Sequence, residues 1–137
     1  MPRFLRLLLE FSSQIRSPHY KYLIDKIESV KRYFTKRLFG LSKMSYCERL
    51  ISLDLDTLER RRLVYDLVFC YKMIHGLCDI SLPVDYAYKN KRGNSLKLNK
   101  QFYSTDVRKY FFSSRVIDAW NSLSNDVVKS PSVCMFN

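Results

Sequence analysis

The sequence predicts a mainly α-helical fold, a small helical bundle of about four helices with a loop or short hairpin near residues 77–105. Three observations carry this expectation. Apolar residues recur at intervals of three and four along most of the chain, the period of a single helix face. Helix-start signatures stand before these runs and glycines stand behind them. Glycine and proline are scarce, 3 and 4 of 137 residues, while 47% of the chain is hydrophobic, which supplies a core and excludes a disordered tail. The length suits one domain or a fragment and excludes a complete multidomain enzyme.

The elements follow in order. Phe4 to Phe11 resembles a secretory core only superficially, because Arg6 and Glu10 interrupt it and no small-residue cleavage site follows. It is expected to be a helix of the folded chain. Ser17-Pro18 reads as an N-cap with proline in the first turn, and Gly40 stands where a left-handed C-cap is wanted. Between them, Tyr20, Leu23, Ile27, Val30, Phe34 and Leu38 form one stripe facing a core. Lys21, Asp25, Glu28, Arg32 and Lys36 are expected on the solvated or partner-facing side.

Ser45 and Glu48 form a capping box that opens a short helix through Leu50, Ile51 and Leu53. Asp56 and Glu59 repeat the signature and start a helix closed by Gly76. Leu63, Leu67, Tyr71 and Ile74 lie on one of its faces, which Val64, Val68 and Phe69 widen, so it is the expected core helix. From residue 77 to 105 the helical period disappears, and Ser95-Leu96-Lys97-Leu98 alternates like an exposed strand. A last long helix is expected over Tyr110–Leu123, with Phe112, Val116, Ala119, Trp120 and Leu123 on one face. Ser130-Pro131-Ser132 is expected to cap another. The organisation is thus an N-terminal helical part (1–76), a connection (77–105) and a C-terminal helical part (106–137), expected to be truncated, within a single domain or fragment.

Charge narrows the partners. The net charge is +11, which favours nucleic acid or an acidic surface. It is uneven: residues 1–50 carry +7, residues 51–88 carry −2 and residues 89–137 carry +6. No apolar run approaches the ~18 residues of a membrane span. Cys47, Cys70, Cys78 and Cys134 contain no CxxC pair, so an intracellular location, cytoplasmic or nuclear and not secreted, is expected.

No catalytic constellation is legible. Two-metal chemistry needs close carboxylates on a rigid strand or turn; Asp54 and Asp56 come nearest, and their place before a helix favours capping. Cys70, His75 and Cys78 lack a zinc spacing, five residues put Cys70 and His75 on different helix faces, and Cys70 reads as core. No metal or cofactor is expected. The nucleic-acid-binding candidates are cations: Lys31, Arg32, Lys36 and Arg37, then Arg60, Arg61 and Arg62, then Lys91, Arg92 and Lys97, and finally Arg108 and Lys109 beside Tyr110, Phe111 and Phe112. Cations interleaved with aromatics suit backbone phosphates and stacked bases. The competing reading makes them solvated faces and favourable helix C-termini.

Six ordered blocks add a resemblance. They are residues 27–37 (IESVKRYFTKR), 46–50 (YCERL), 58–62 (LERRR), 71–76 (YKMIHG), 92–96 (RGNSL) and 111–123 (FFSSRVIDAWNSL). Together they resemble the C-terminal region of jockey-like non-LTR retrotransposon reverse transcriptases. The resemblance implies a basic, mostly helical, non-catalytic tail of an RNA-directed DNA polymerase, working on RNA or DNA beside an upstream polymerase domain. The palm carboxylates would lie outside this chain. The sequence departs from the family pattern at Arg16, at Ser124 and around Tyr86–Asn90, as a decayed or partial transposon copy would. The alternative is a structural protein-interaction module. If the last helix is cut short, residues 111–123 should expose an apolar strip around Trp120 and the chain should tend to self-associate.

Overall fold

The computed structural model describes residues 18–80 and 96–136. These form α1 (Lys21–Lys36), α2 (Tyr46–Ser52), α3 (Leu58–Ile74), α4 (Asp106–Lys109), α5 (Phe112–Ser122), α6 (Asn125–Val128) and α7 (Val133–Phe136), with no strand among them. The fold is mainly helical, consistent with a small bundle. The expected helix near Phe4–Phe11 and the segment 81–95 lie outside the described residues.

The chain divides into two compact units, Met1–Arg62 and Leu63–Asn137. The division falls inside α3, whose Cys70, Tyr71 and Met73 belong to the core of the second unit.

In the first unit α1 starts at Lys21 with Tyr20 as N-cap, later than the Ser17-Pro18 pair predicts, and ends at Lys36. Gly40 has a left-handed φ of +79°, but in the turn beyond the helix rather than at its cap. The buried face also differs from expectation. Glu28, Lys31 and Thr35 are buried, while Tyr20 and Val30 from the apolar stripe are exposed. At 100° per residue the inward face is turned by about 85° from the centre of that stripe. Polar partners explain the turn: Glu28 accepts from the Tyr46 hydroxyl and, at 2.9 Å, from the Leu58 N–H. Lys31 Nζ donates to the Asp56 carbonyl. Arg49 Nε donates to Thr35 Oγ1 at 3.4 Å and its Nη1 to the Met44 carbonyl at 2.6 Å. Buried polar groups are tolerated only with such partners.

The capping box of α2 forms as expected. Glu48 N–H donates to Ser45 Oγ at 3.3 Å, and Ser45 N–H donates to Glu48 Oε2 at 2.7 Å. The Ser45 side chain and backbone together hold the Glu48 carboxyl below its ordinary pKa. The helix closes with Leu55 N–H on Leu50 O (2.9 Å) and Asp54 N–H on Ile51 O (3.1 Å), a Schellman motif. Asp54 occupies its left-handed position, φ +49°. Asp54 is therefore a helix terminator and not the N-cap its sequence position suggests. The cap of α3 is also one residue later than expected: Thr57 Oγ1 accepts from Arg60 N–H at 3.3 Å, and Asp56 pairs instead with Arg60 at 3.2 Å.

The second unit holds the larger apolar core: Cys70, Tyr71, Met73, Leu98, Phe112, Val116, Ile117, Trp120 and Val128. Helix α3 ends as expected at Gly76, φ +66°, with Leu77 N–H on Lys72 O at 2.8 Å. Leu98 belongs to this core and not to an exposed strand. Leu98 makes an isolated β-bridge, and Asn121 accepts from Leu98 N–H and donates to Leu98 O, both at 2.9 Å, which ties this segment to α5. The greater part of the expected loop or hairpin, residues 81–95, lies outside the described residues.

Trp120 overturns the expectation of an exposed apolar strip. It is fully buried, its Nε1 donates to Leu96 O at 2.8 Å, and Phe136 of α7 stacks at 5.9 Å between ring centroids. The chain supplies this cover in two short helices. Helix α6 brings Val128 into the core, and α7, started at Ser132, brings Phe136 against both Tyr71 and Trp120. Neither α6 nor α4 was legible as apolar periodicity, because four residues are barely one turn.

Candidate nucleic-acid interface

The polar inward face of α1 decides what its outer face offers. With Glu28 and Lys31 turned inward, the opposite side of α1 presents Tyr22, Lys26, Tyr33, Lys36 and Arg37. Residues 22, 26, 33 and 37 lie within about 60° of one another at 100° per residue. Tyr22 and Tyr33 are 67% and 58% exposed, too much for core aromatics. The Arg37 guanidinium lies 4.3 Å from the Tyr33 ring centroid, and that of Arg32 lies 5.0 Å from Tyr46. Such pairs pre-position cations beside aromatic faces without neutralising them. The arrangement can hold phosphates by charge and bases by stacking. Lys26, Tyr22 and Tyr33 were not singled out from sequence, although Tyr22-x3-Lys26 and Tyr33-x3-Arg37 are i, i+4 pairs.

The structure separates the sequence-predicted cations. Arg32, Lys36 and Arg37 are exposed on α1. Lys31 is 1% exposed and Arg62 7%, which corrects the expectation that they face a ligand. The Arg60–Arg62 run is therefore not one surface: Arg60 is exposed and paired with Asp56, Arg61 is half-buried and Arg62 is inside. Lys91 and Arg92 lie outside the described residues, and Lys97 is half-buried.

Arg108 and Lys109, in the second unit, are exposed on α4 and adjoin a cleft of about 440 Å³. Lys100, Gln101, Phe102, Tyr103, Asp106, Lys109, Tyr110, Ser114 and Asp118 line it. Arg108 lies 5.9 Å from the Tyr103 ring centroid and Lys109 lies 5.3 Å from that of Tyr110. Ser114 Oγ donates to Arg108 O at 2.9 Å, which fixes the corner between α4 and α5. Lys100 bridges to Asp118 at 2.5 Å across the rim.

Other reactive groups have structural places. Cys70 is fully buried, and burial, helped by the charge of Asp66, pushes its thiol up to about 12. His75 Nε2 lies 3.0 Å from Val128 O. No group of three or more potential metal-binding side chains occurs among the described residues, and no helix among them is long and apolar enough to cross a membrane. Comparison with protein-family models, curated proteins and solved structures finds no match to this chain.

Proposed function

We propose that this chain is a basic, non-catalytic helical region of a retrotransposon-type reverse transcriptase, and that α1 holds single-stranded nucleic acid, RNA in the first instance. The reading joins the six-block resemblance to one structural observation. The face of α1 opposite its buried polar contacts carries Tyr22, Lys26, Tyr33, Lys36 and Arg37. Cations there engage phosphates non-specifically, and the tyrosines stack on whichever bases pass. In this role the chain supports a polymerase domain by retaining template or product and performs no bond chemistry itself. A second reading, a protein-interaction module, draws support from Phe39, wholly exposed, and Ile51, 81% exposed, in the same unit.

Anisotropy of a fluorescently labelled single-stranded RNA, titrated with the full chain across a salt series, tests the proposal. Engagement of about four to six phosphates gives a log–log slope of roughly −3 to −4, at about 0.7 per phosphate. Absence of binding at low salt would refute it and leave the protein-interaction reading.

A further inference from the structure

The cleft of the second unit has features that a general phosphate-binding surface does not need. It combines three aromatic side chains, Phe102, Tyr103 and Tyr110, with a cation beside each tyrosine and two carboxylates, Asp106 and Asp118. Phe102 is 97% exposed at its mouth, where its ring face is open to a stacking partner. The carboxylates would weaken a site for phosphate alone, since they repel it. Asp118 is partly neutralised by Lys100. Asp106 makes no ion pair among the described residues and keeps its acceptor oxygens available.

The geometry points to a pocket for one unstacked nucleotide of a single strand, with selectivity for a base whose edge carries adjacent donors, guanine before uracil. The assignment rests on the nucleic-acid reading above and adds to it a specific subsite and a preferred base. The volume, about 440 Å³, lies within the usual range for small-molecule sites, roughly 300–1,000 Å³. Arg108 and Lys109 supply the phosphate contacts at the rim, and the aromatic side chains take the base, as single-stranded bases are commonly held. Guanine presents N1–H and N2–H side by side, and a carboxylate can accept both at once. Uracil offers a single donor, N3–H, between two carbonyls that a carboxylate repels. Discrimination therefore belongs to Asp106 and retention to the cations and rings.

The test compares two 5′-fluorescein-labelled octamers, all-uridine and uridine with one central guanosine, binding to the full chain. The guanosine strand should bind about tenfold more tightly, the scale of one good bidentate base contact. Asp106→Asn should bring the ratio close to one without weakening the uridine strand. Phe102→Ala, at a side chain that packs on nothing, should weaken the guanosine strand more than the uridine strand. Equal binding of both strands by the wild-type chain would overturn the pocket and leave the α1 reading standing. A guanosine preference that survives Asp106→Asn would overturn the assignment of the carboxylate. Failure of either strand to bind at low salt would overturn both readings.

Discussion

Replacing Arg115 by Met should destabilise the second unit by about 3 kcal/mol. Arg115 Nε donates to Asp66 Oδ2 at 2.9 Å and its Nη2 to Oδ1 at 3.0 Å, a bidentate pair joining α3 to α5. The side chains are only 19% and 7% exposed respectively. Removing one partner of a buried pair leaves the other charge less well compensated in a poorly solvating interior, at a cost of up to about 3–5 kcal/mol. The lower end applies because the arginine retains some contact with water. That loss is a large share of a typical stability of about 5–15 kcal/mol. With a urea slope of about 2 kcal/mol/M, the midpoint should fall by about 1.5 M. Unfolding followed by far-ultraviolet circular dichroism reads this directly. The double variant Asp66→Leu/Arg115→Met removes both charges and should recover most of the loss, since an apolar pair often replaces a buried ion pair at little cost. A loss below about 1 kcal/mol in Arg115→Met, or a double variant no more stable than the single, would show that the pair does not hold α3 to α5.

Two further outcomes follow from the first unit. Burial first, then the hydrogen bond and charge of Glu28, hold the Tyr46 hydroxyl above its ordinary value of 10.0. Its contribution to stability is thus complete below pH 10 and is lost as pH rises beyond it toward the higher folded value; urea midpoints between pH 8 and 11 should fall more steeply for the wild type than for Tyr46→Phe, and equal slopes would contradict this. Asp54→Gly relieves a left-handed non-glycine residue at the end of α2, and the same urea assay should show a gain of about 0.5–1 kcal/mol.

The sequence made some parts legible and concealed others for physical reasons. Caps and terminators are local, so the Ser45–Glu48 box and the end at Gly76 followed from residues a few positions apart. The packing face of α1 did not, because hydrophobic periodicity assumes that the inward side is apolar. Glu28 and Lys31 face inward since Tyr46, Leu58 and Asp56, 18 to 30 residues later, supply their partners. The same non-local contacts removed Lys31 from the accessible cations while leaving Arg32, Lys36 and Arg37 outside. Trp120 was legible as a residue of an apolar helix face. Its cover was not, because one-turn helices such as α6 and α7 leave almost no periodic signal. The cleft depends on folding the segment 100–103 beside α4 and α5, and no spacing in the chain announces it.

Nucleic-acid binding by the outer face of α1 is read most sharply from the change in salt slope when its charge is removed. Lys26, Lys36 and Arg37 are exposed on that face, so a triple change to Gln should leave the helical circular dichroism intact. If these side chains contact phosphates, the slope for single-stranded RNA should become less steep by about 2, at roughly 0.7 per phosphate lost. A triple variant that binds with the wild-type slope would place the phosphates elsewhere and rule out α1 as the binding face.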